Sequence, residues 1–320
     1  MQPATAETVL GNFDNVRLTQ FGVTTSFYKK DGKYMVNTEG PDGKLQDYEI
    51  KYAFGVQPLQ QYLIEFPGGR MQALSLAWDT RPQAQGGQRW FHLYPDEKIT
   101  HDDELHWTQP SQNWNSMCAE CHSTDLQKDY DPETRGFATR WSEIDVSCEA
   151  CHGPGSNHIL WAEKRPGWEV FEPDRGMVLR LNERKGAGWS IDPATGNARR
   201  SKPRQSEHEI EMCARCHARR SPITSNYAHG DRLMDHYLPR TLDDGMYFAD
   251  GQIDDEVYVY GSFLQSKMYQ AGVTCSDCHD PHDLSLKAPG NSVCLQCHQA
   301  ERFDTSAHHF HEVGSAGASC

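Results

Sequence analysis

Short runs in which apolar and polar side chains alternate dominate the first 110 residues, and this period of two predicts β-strands. The runs are rich in Val, Ile, Tyr, Phe and Thr, and turn sequences such as Asp31-Gly32 and Pro67-Gly68-Gly69 separate several of them. The predicted strands cover residues 15–19, 23–28, 33–38, 45–54, 60–66 and 71–78. Together they predict an antiparallel meander or small barrel, and residues 83–88 predict an exposed loop.

Composition narrows the class of protein. The chain has 320 residues and a formal net charge of -14, its mean hydropathy is -0.76, and no run approaches the roughly 18 apolar residues of a transmembrane helix. The acidic balance argues against nucleic acid or an anionic membrane as partner. Hydrophobic residues make up only 37%. That share is low for a chain of this length, unless a group other than side chains fills the core.

Ten of the 11 cysteines form Cys-X-X-Cys pairs, and a histidine directly follows every pair. The five motifs, numbered in chain order, are Cys118/Cys121/His122, Cys148/Cys151/His152, Cys213/Cys216/His217, Cys275/Cys278/His279 and Cys294/Cys297/His298. On one helical turn, positions i, i+3 and i+4 share a face. Two thiols can then form thioethers with the vinyl groups of a haem, while the histidine is the proximal ligand of the iron. The pattern predicts five covalent haem c groups.

Zinc sites and redox-active thiol pairs are the alternatives. Zinc would need pairs of pairs, and only the interval between the last two motifs suits a zinc ribbon. Neither zinc nor a thioredoxin-like pair requires a histidine after every second cysteine. The haem interpretation is therefore favoured.

Five haems would supply much of the buried apolar surface and would account for the low hydrophobic fraction. We therefore expect an α+β fold, with a β-rich domain at residues 1–110 and a pentahaem cytochrome c domain at residues 111–320. Short helices should surround the motifs, with long irregular connections between them. The clearest predicted helix covers residues 207–220, and the basic, glycine-containing stretch 180–203 predicts a surface excursion.

Eleven further histidines could give every iron a second ligand. Iron with two histidine ligands is coordinatively closed and suits electron transfer, whereas an open position admits a substrate. His308, His309 and His311 form a cluster that predicts one or two ligands, with His309 and His311 as candidates; a polar tail is the alternative. His92 and His106 are also candidate iron ligands, but they fit a satisfied aromatic-rich core equally well.

Two of the motifs resemble those of a known superfamily. The run Cys148-Glu-Ala-Cys-His-Gly-Pro-Gly-Ser-Asn-His158 resembles a haem signature of the superfamily that contains hydroxylamine oxidoreductase, octahaem tetrathionate reductase, pentahaem nitrite reductase and the tetrahaem cytochrome of nitrifiers. Gly272-Val-Thr-Cys-Ser-Asp-Cys-His-Asp-Pro-His282 resembles another of its signatures. From Asn12 to the end, including residues 88–95 and 105–108, the chain is more similar still to multihaem cytochromes that carry a tetratricopeptide region downstream.

The resemblance implies that His158 and His282 are distal ligands to haems other than those of their own motifs. His282 lies only three residues beyond His279, too close to reach the opposite face of the same haem. The nitrite reductases of the superfamily carry a lysine in place of one proximal histidine. No Cys-X-X-Cys-Lys occurs in this sequence, which argues against nitrite reduction.

The sequence thus predicts electron transfer through covalent haems and assigns no catalytic residue. Two alternatives stay open, because the superfamily contains both carriers and enzymes: an oxidoreductase acting on small nitrogen or sulfur compounds at one five-coordinate haem, and a subunit of an extracellular cytochrome assembly or filament. The expected partners are redox proteins, other multihaem cytochromes among them. A homo-oligomer of this chain is a further alternative for its assembly.

A periplasmic or extracellular location is expected, because haem is attached to such motifs outside the cytoplasm in most bacteria. Residues 1–10 show neither the basic nor the apolar region of a signal peptide. We therefore expect the chain to be part of a longer multihaem protein. Cys320, which has no partner in sequence, fits an interrupted further motif; a free thiol, an intermolecular disulfide and a tail without a role are the alternatives.

Overall fold

The computed structural model describes residues 1–240 and 242–320. They form two compact units, Met1–Ala150 and Cys151–Cys320. The first unit contains an antiparallel sheet and the second contains mostly short helices and two-stranded hairpins, which confirms the α+β class. The predicted boundary at residue 110, between a β-rich domain and a haem-binding domain, stays a prediction. In the structure, motif 1 packs with strands of the first unit.

The N-terminal unit is built on a sheet of nine described strands. Their order is β2-β3-β4-β5-β6-β8-β9, with β1 paired to β5 and β7 paired to β6, and all pairings are antiparallel. The strands are β1 Gln2–Pro3, β2 Val16–Gln20, β3 Val23–Lys30, β4 Lys33–Glu39, β5 Leu45–Phe54, β6 Leu59–Phe66, β7 Arg70–Ala73, β8 Leu76–Asp79 and β9 Arg89–His92. Asp31 and Gly32 join β3 to β4, both with positive φ, as a tight hairpin turn requires.

Five of the six predicted strands match observed strands closely. The sixth, 71–78, is two strands, because two extra residues, Leu74 and Ser75, lie between the pairing of β7 with β6 and that of β8 with β6. The short strand β9 was not predicted. Residues 83–88 are mostly exposed, as expected, and include the 3-10 helix Gln83–Gln85.

The sheet forms a nearly closed barrel, and aromatic rings from opposite ends of its strand order stack on one another. Phe27 lies on β3, near one end of the strand order, and Trp90 lies on β9, at the other end. Their ring centroids are 3.6 Å apart with an interplanar angle of 4°. Phe13 packs its edge against both rings. Because rings from distant strands bury one another, the hydrophobic effect favours closure.

Motif 1 follows the sheet within the same unit. The remaining elements of this unit are the 3-10 helix Pro110–Gln112, α1 Trp114–Met117, α2 Ala119–His122, and the hairpin of β10 Tyr130–Asp131 with β11 Gly136–Phe137. The helix α3, Cys148–His152, contains the boundary between the units.

The second unit consists of short elements. They are α4 Ser156–Ala162, the 3-10 helix Trp168–Phe171, β12 Trp189–Ile191, β13 Ala198–Arg200, α5 His208–His217, β14 Arg220–Pro222, α6 Leu233–His236, β15 Tyr237–Pro239, α7 Tyr260–Gln265, α8 Lys267–Gln270, α9 Cys275–Cys278, β16 His279–Asp280, β17 Ser285–Leu286, α10 Ser292–Leu295, α11 Ala300–Phe303, α12 Ser306–His309 and the 3-10 helix Ala316–Ala318. Each strand pairs with its neighbour in sequence: β12 with β13, β14 with β15 and β16 with β17.

Helix α5 confirms the clearest helix prediction, although it ends at His217 because the chain turns extended at Ala218 and then forms β14. Its buried side chains Ile210 and Ala214 join Leu233 and Tyr260 in a small core. Residues 180–203 are mostly exposed, as predicted, and they also form the β12–β13 hairpin and bond to motif 4, as described below. Among the described residues, no helix is long and apolar enough to cross a membrane.

Candidate functional site

Each of the five motifs folds as one helical turn. Motif 2 is helix α3, and motif 3 is the C-terminal half of α5. In the other motifs the histidine N–H donates to the carbonyl of the first cysteine, at 3.2 Å in motif 1, at 3.0 Å in motif 5 and as the C-cap bond of α9 in motif 4. Two thiols and one imidazole thereby share one face of each turn, as the spacing predicts.

A buried amide network holds motif 1 against the sheet. Asn113 caps the N-terminus of helix α1, and Asn115, two residues later, is buried. The side-chain oxygen of Asn115 accepts from the Met71 N–H at 2.7 Å, and its amide donates to the Gly69 carbonyl at 3.2 Å and to the Thr139 hydroxyl at 2.9 Å. The strand β7 therefore positions the first motif.

The ring of His152, the predicted proximal histidine of motif 2, is held in place by a backbone group. Its Nδ1 lies 3.2 Å from the carbonyl oxygen of Leu179. A ring that donates from Nδ1 keeps the lone pair of Nε2 available for a metal. The imidazole of His282 lies beside His152, with ring centroids 6.3 Å apart and an interplanar angle of 11°. The structure thus brings a predicted distal histidine to the proximal histidine of another motif.

His158, the other distal histidine implied by the resemblance, also has a backbone carbonyl close to its Nδ1. Its Nδ1 lies 2.8 Å from the Arg175 carbonyl, and its ring packs on Trp161. Gly176 leaves the space for this, since a Cβ there would lie 2.7 Å from the backbone nitrogen of His158. Nε2 is therefore the ring atom of His158 suited to bind a metal.

Motifs 3 and 4 touch one another. The thiol of Cys213 hydrogen-bonds the thiol of Cys275, and this bond and burial raise the pKa of Cys213, with the charge of Glu209 adding to the shift. Between the cysteines of motif 4, Ser276 donates its N–H to one carboxylate oxygen of Glu209 at 2.6 Å and its hydroxyl to the other at 3.0 Å. The attachment turns of two motifs are thus in direct contact.

The segment that precedes α5 also bonds to motif 4. Asp277 forms a capping box with Thr274 at the start of α9. The same carboxylate accepts from the guanidinium of Arg184 at 2.9 Å and from the indole of Trp189 at 3.1 Å. The basic stretch that was predicted to be a surface excursion therefore supports a motif.

Motif 5 has a side-chain partner for its histidine. Nδ1 of His298 lies 2.8 Å from the side-chain oxygen of Asn197, which follows the turn of the β12–β13 hairpin. The thiol of Cys294 hydrogen-bonds that of Cys320, and the Cys320 N–H donates to Asn291 at 2.9 Å. The eleventh cysteine therefore lies at the fifth motif.

The candidate ligands of the first unit use Nδ1 in local bonds. His106 is 5% exposed, and its Nδ1 lies 2.8 Å from the Thr108 hydroxyl. Burial, then the charges of His101 and His92, lower the pKa of His106 to about 4. Nδ1 of His92 accepts from the Tyr94 N–H at 3.0 Å. These bonds are those expected of satisfied core histidines, and they leave ligation by Nε2 a prediction.

In the C-terminal cluster, His309 is the histidine with a buried ring nitrogen. Its Nδ1 accepts from the His311 N–H at 3.2 Å, and the two rings are 6.4 Å apart. Nε2 of His309 is buried and has no hydrogen-bond partner among the described residues. Because Nδ1 accepts the bond from His311, the neutral ring carries its proton on Nε2, so Nε2 has no lone pair for a metal in this arrangement and ligation by His309 stays a prediction.

The residues around the motifs fit haem c. The turns offer the two thiols and one imidazole that this cofactor needs. Large apolar side chains beside the motifs are exposed, among them Met117 at 61% and Leu284 at 92%, with Ile159 and Leu286 also open. Such surfaces are costly in water unless an apolar group covers them. The porphyrin is a group of that kind.

The first thiol of motif 1 argues against a redox-active pair there. Burial, with the neighbouring Cys121, raises the pKa of Cys118 to about 11. A reactive or metal-binding cysteine normally has a lowered pKa. Across residues 1–240 and 242–320, no group of three or more His, Cys, Asp or Glu side chains is arranged to hold a metal ion by itself.

The supporting residues were not found from the sequence. Asn115, Asn197 and Glu209 act over distances in sequence that no local pattern reveals. The capping pattern Thr274-X-X-Asp277 was a readable signal for the start of α9. The pairing of Asp277 with Arg184 was not readable, because it depends on the tertiary fold.

Two segments match known families. Residues 268–303, which contain motifs 4 and 5, match the doubled CXXCH motif. Residues 77–153, which contain motifs 1 and 2, match cytochrome c554 and c-prime. No curated protein and no solved structure matches the chain. With the five helical Cys-X-X-Cys-His turns, these matches support a multihaem c-type cytochrome that binds haem c.

Proposed function

We propose that this protein carries electrons through five covalently bound haem c groups, most of them with two histidine ligands. When bound, each haem supplies one-electron exchange between ferric and ferrous iron. The chain's own residues hold the groups close together, keep water from them and orient their ligands. The observation that carries the proposal is the contact between the thiols of Cys213 and Cys275.

The motifs of the second unit follow one another in space as they do in sequence. Cys151 lies near Cys213, and Cys213 contacts Cys275. In motif 4, Cys278 lies near Cys294 of motif 5. Groups attached at successive motifs would therefore be neighbours, and short steps between neighbours are what electron transfer requires.

The ligand assignments are part of the proposal. The attaching cysteines and proximal histidines are those of the five motifs. We assign His282 to the haem of motif 2, supported by its parallel placement beside His152. His158 and His309 are further distal ligands; the Nδ1 bond of His158 supports the first, and the second follows from the sequence alone. His311, His106 and His92 follow as weaker candidates.

Redox proteins are the proposed partners, and the proposed location is periplasmic or extracellular, because haem is attached to such motifs outside the cytoplasm in most bacteria. An oxidoreductase with one open haem is the competing function. Absorption and electron paramagnetic resonance spectra of the ferric protein decide between the two. Purely low-spin iron is expected of the carrier, whereas a high-spin haem that binds cyanide or carbon monoxide in the unmodified protein would overturn the proposal of electron transfer alone.

A further inference from the structure

Glu209 is a buried carboxylate that connects two motifs. It is 5% exposed and lies in the first turn of α5, one helical turn before Cys213. Both of its oxygens accept hydrogen bonds from Ser276, which lies inside motif 4. Hydrogen bonds to a charged group are stronger than neutral ones, and burial strengthens them further. The helix of motif 3 therefore holds the turn of motif 4 directly.

A second layer of bonds fixes Glu209 itself. Its N–H donates to one oxygen of Glu183 at 3.0 Å, and the Ser206 hydroxyl donates to the same oxygen at 2.7 Å. Arg204 pairs with Glu207 and donates to the Val273 carbonyl at 3.0 Å. These bonds tie the start of α5 to the segment before motif 4, so the carboxylate has little freedom to move.

The charge of Glu209 acts on both motifs. It bonds inside motif 4, and it lies on the same face of α5 as Cys213. In a medium of low dielectric constant a fixed charge acts more strongly than it does in water. Oxidised iron carries one more positive charge than reduced iron, so a nearby carboxylate favours the oxidised form.

We propose that Glu209 is a positioning residue that ties the attachment turns of motifs 3 and 4 together and holds the reduction potentials of the two haems bound there low. This inference rests on the proposed function, because it requires haem at both motifs. Its effect is separable from haem binding, since among the described residues the Glu209 carboxylate bonds to Ser276 and not to a proximal or proposed distal histidine.

The test is a potentiometric titration of the full-length holoprotein, followed by absorption, with Glu209→Gln beside Glu211→Gln. Both variants remove one carboxylate from α5, and neither Glu211 oxygen bonds to Ser276 in the structure. Intact mass first establishes the haem count. We expect Glu209→Gln to keep that count and to favour the reduced form of two haems by at least about threefold, roughly 28 mV for one electron. Glu211→Gln should change the curve less.

A Glu209→Gln curve that coincides with that of the unmodified protein, or with that of Glu211→Gln, overturns the inference. Unmodified protein without haem at motifs 3 and 4 instead overturns the proposed function, which keeps the two failures distinct. Glu209→Asp is a second variant that keeps the inference testable if Glu209→Gln does not fold. Its shorter side chain should lose the double contact with Ser276 and lower the thermal unfolding midpoint more than Glu211→Asp does; equal midpoints contradict the tie between the motifs.

Discussion

The imidazoles of His152 and His282 lie nearly parallel, 6.3 Å between ring centroids, although 130 residues separate them in sequence. His152 completes motif 2, and the backbone carbonyl of Leu179 holds its Nδ1. His282 follows motif 4. As the proposed distal ligand at motif 2, His282 would link the two motif segments through the cofactor.

Replacing His282 by alanine should open one iron. We expect one haem to change from low spin to high spin and to bind carbon monoxide in the reduced state, because no second imidazole completes its coordination. Absorption spectra with and without carbon monoxide provide the measurement. His208→Ala is the matched control, since His208 is not a proposed ligand and should leave the spectra unchanged. Identical spectra for both variants would remove His282 from the ligand set.

The sequence predicted the fold where the signal was local. Alternation between Val23 and Phe66 placed the strands to within two residues, and the Cys-X-X-Cys-His spacing placed all five helical turns. Closure of the sheet by Phe27 and Trp90 was not readable, because it joins strands far apart in the sheet order. The partners of the motifs were missed for the same reason: Glu209 and Ser276 are 67 residues apart.

Motif 3 lies outside both matched segments, so its haem is the one least supported by comparison. Replacing Cys213 and Cys216 together by alanine should reduce the covalent haem content by one fifth, because both thioether bonds are lost. The pyridine haemochrome assay measures this content. Cys320→Ala removes a thiol outside the five motifs and should leave it unchanged. Equal haem content in the double variant and the unmodified protein would mean that motif 3 carries no haem.

Asn115→Ala should destabilise the N-terminal unit. The substitution leaves the partly buried N–H of Met71 without its acceptor and removes three further bonds, at an expected loss of about 2 kcal/mol in unfolding free energy. Urea unfolding followed by tryptophan fluorescence measures the loss. Gln127→Ala is the control, because that exposed side chain bonds only to Asp125. Equal stability of the two variants would show that the amide network does not hold motif 1.

His106 should make stability depend on pH if it is a core histidine. Burial lowers its pKa from 6.5 to about 4, so the unfolded chain binds the proton more readily. The stabilisation, at most about 3 kcal/mol, is present above pH 6.5 and is lost as the pH falls towards 4. Urea unfolding at pH 7 and pH 5 measures it, and His106→Gln should lose less stability over this interval. A pH dependence that is the same in both proteins would contradict the core assignment.

The intact mass of the haem-matured protein tests the central claim most directly. Five helical motifs, each with two thiols and a histidine on one face, predict a polypeptide carrying five covalently bound haems. Denaturing mass spectrometry reads that number without reference to spectra or partners. A mass equal to the polypeptide plus five haems is the predicted result; a mass with fewer haems after complete maturation would contradict the account.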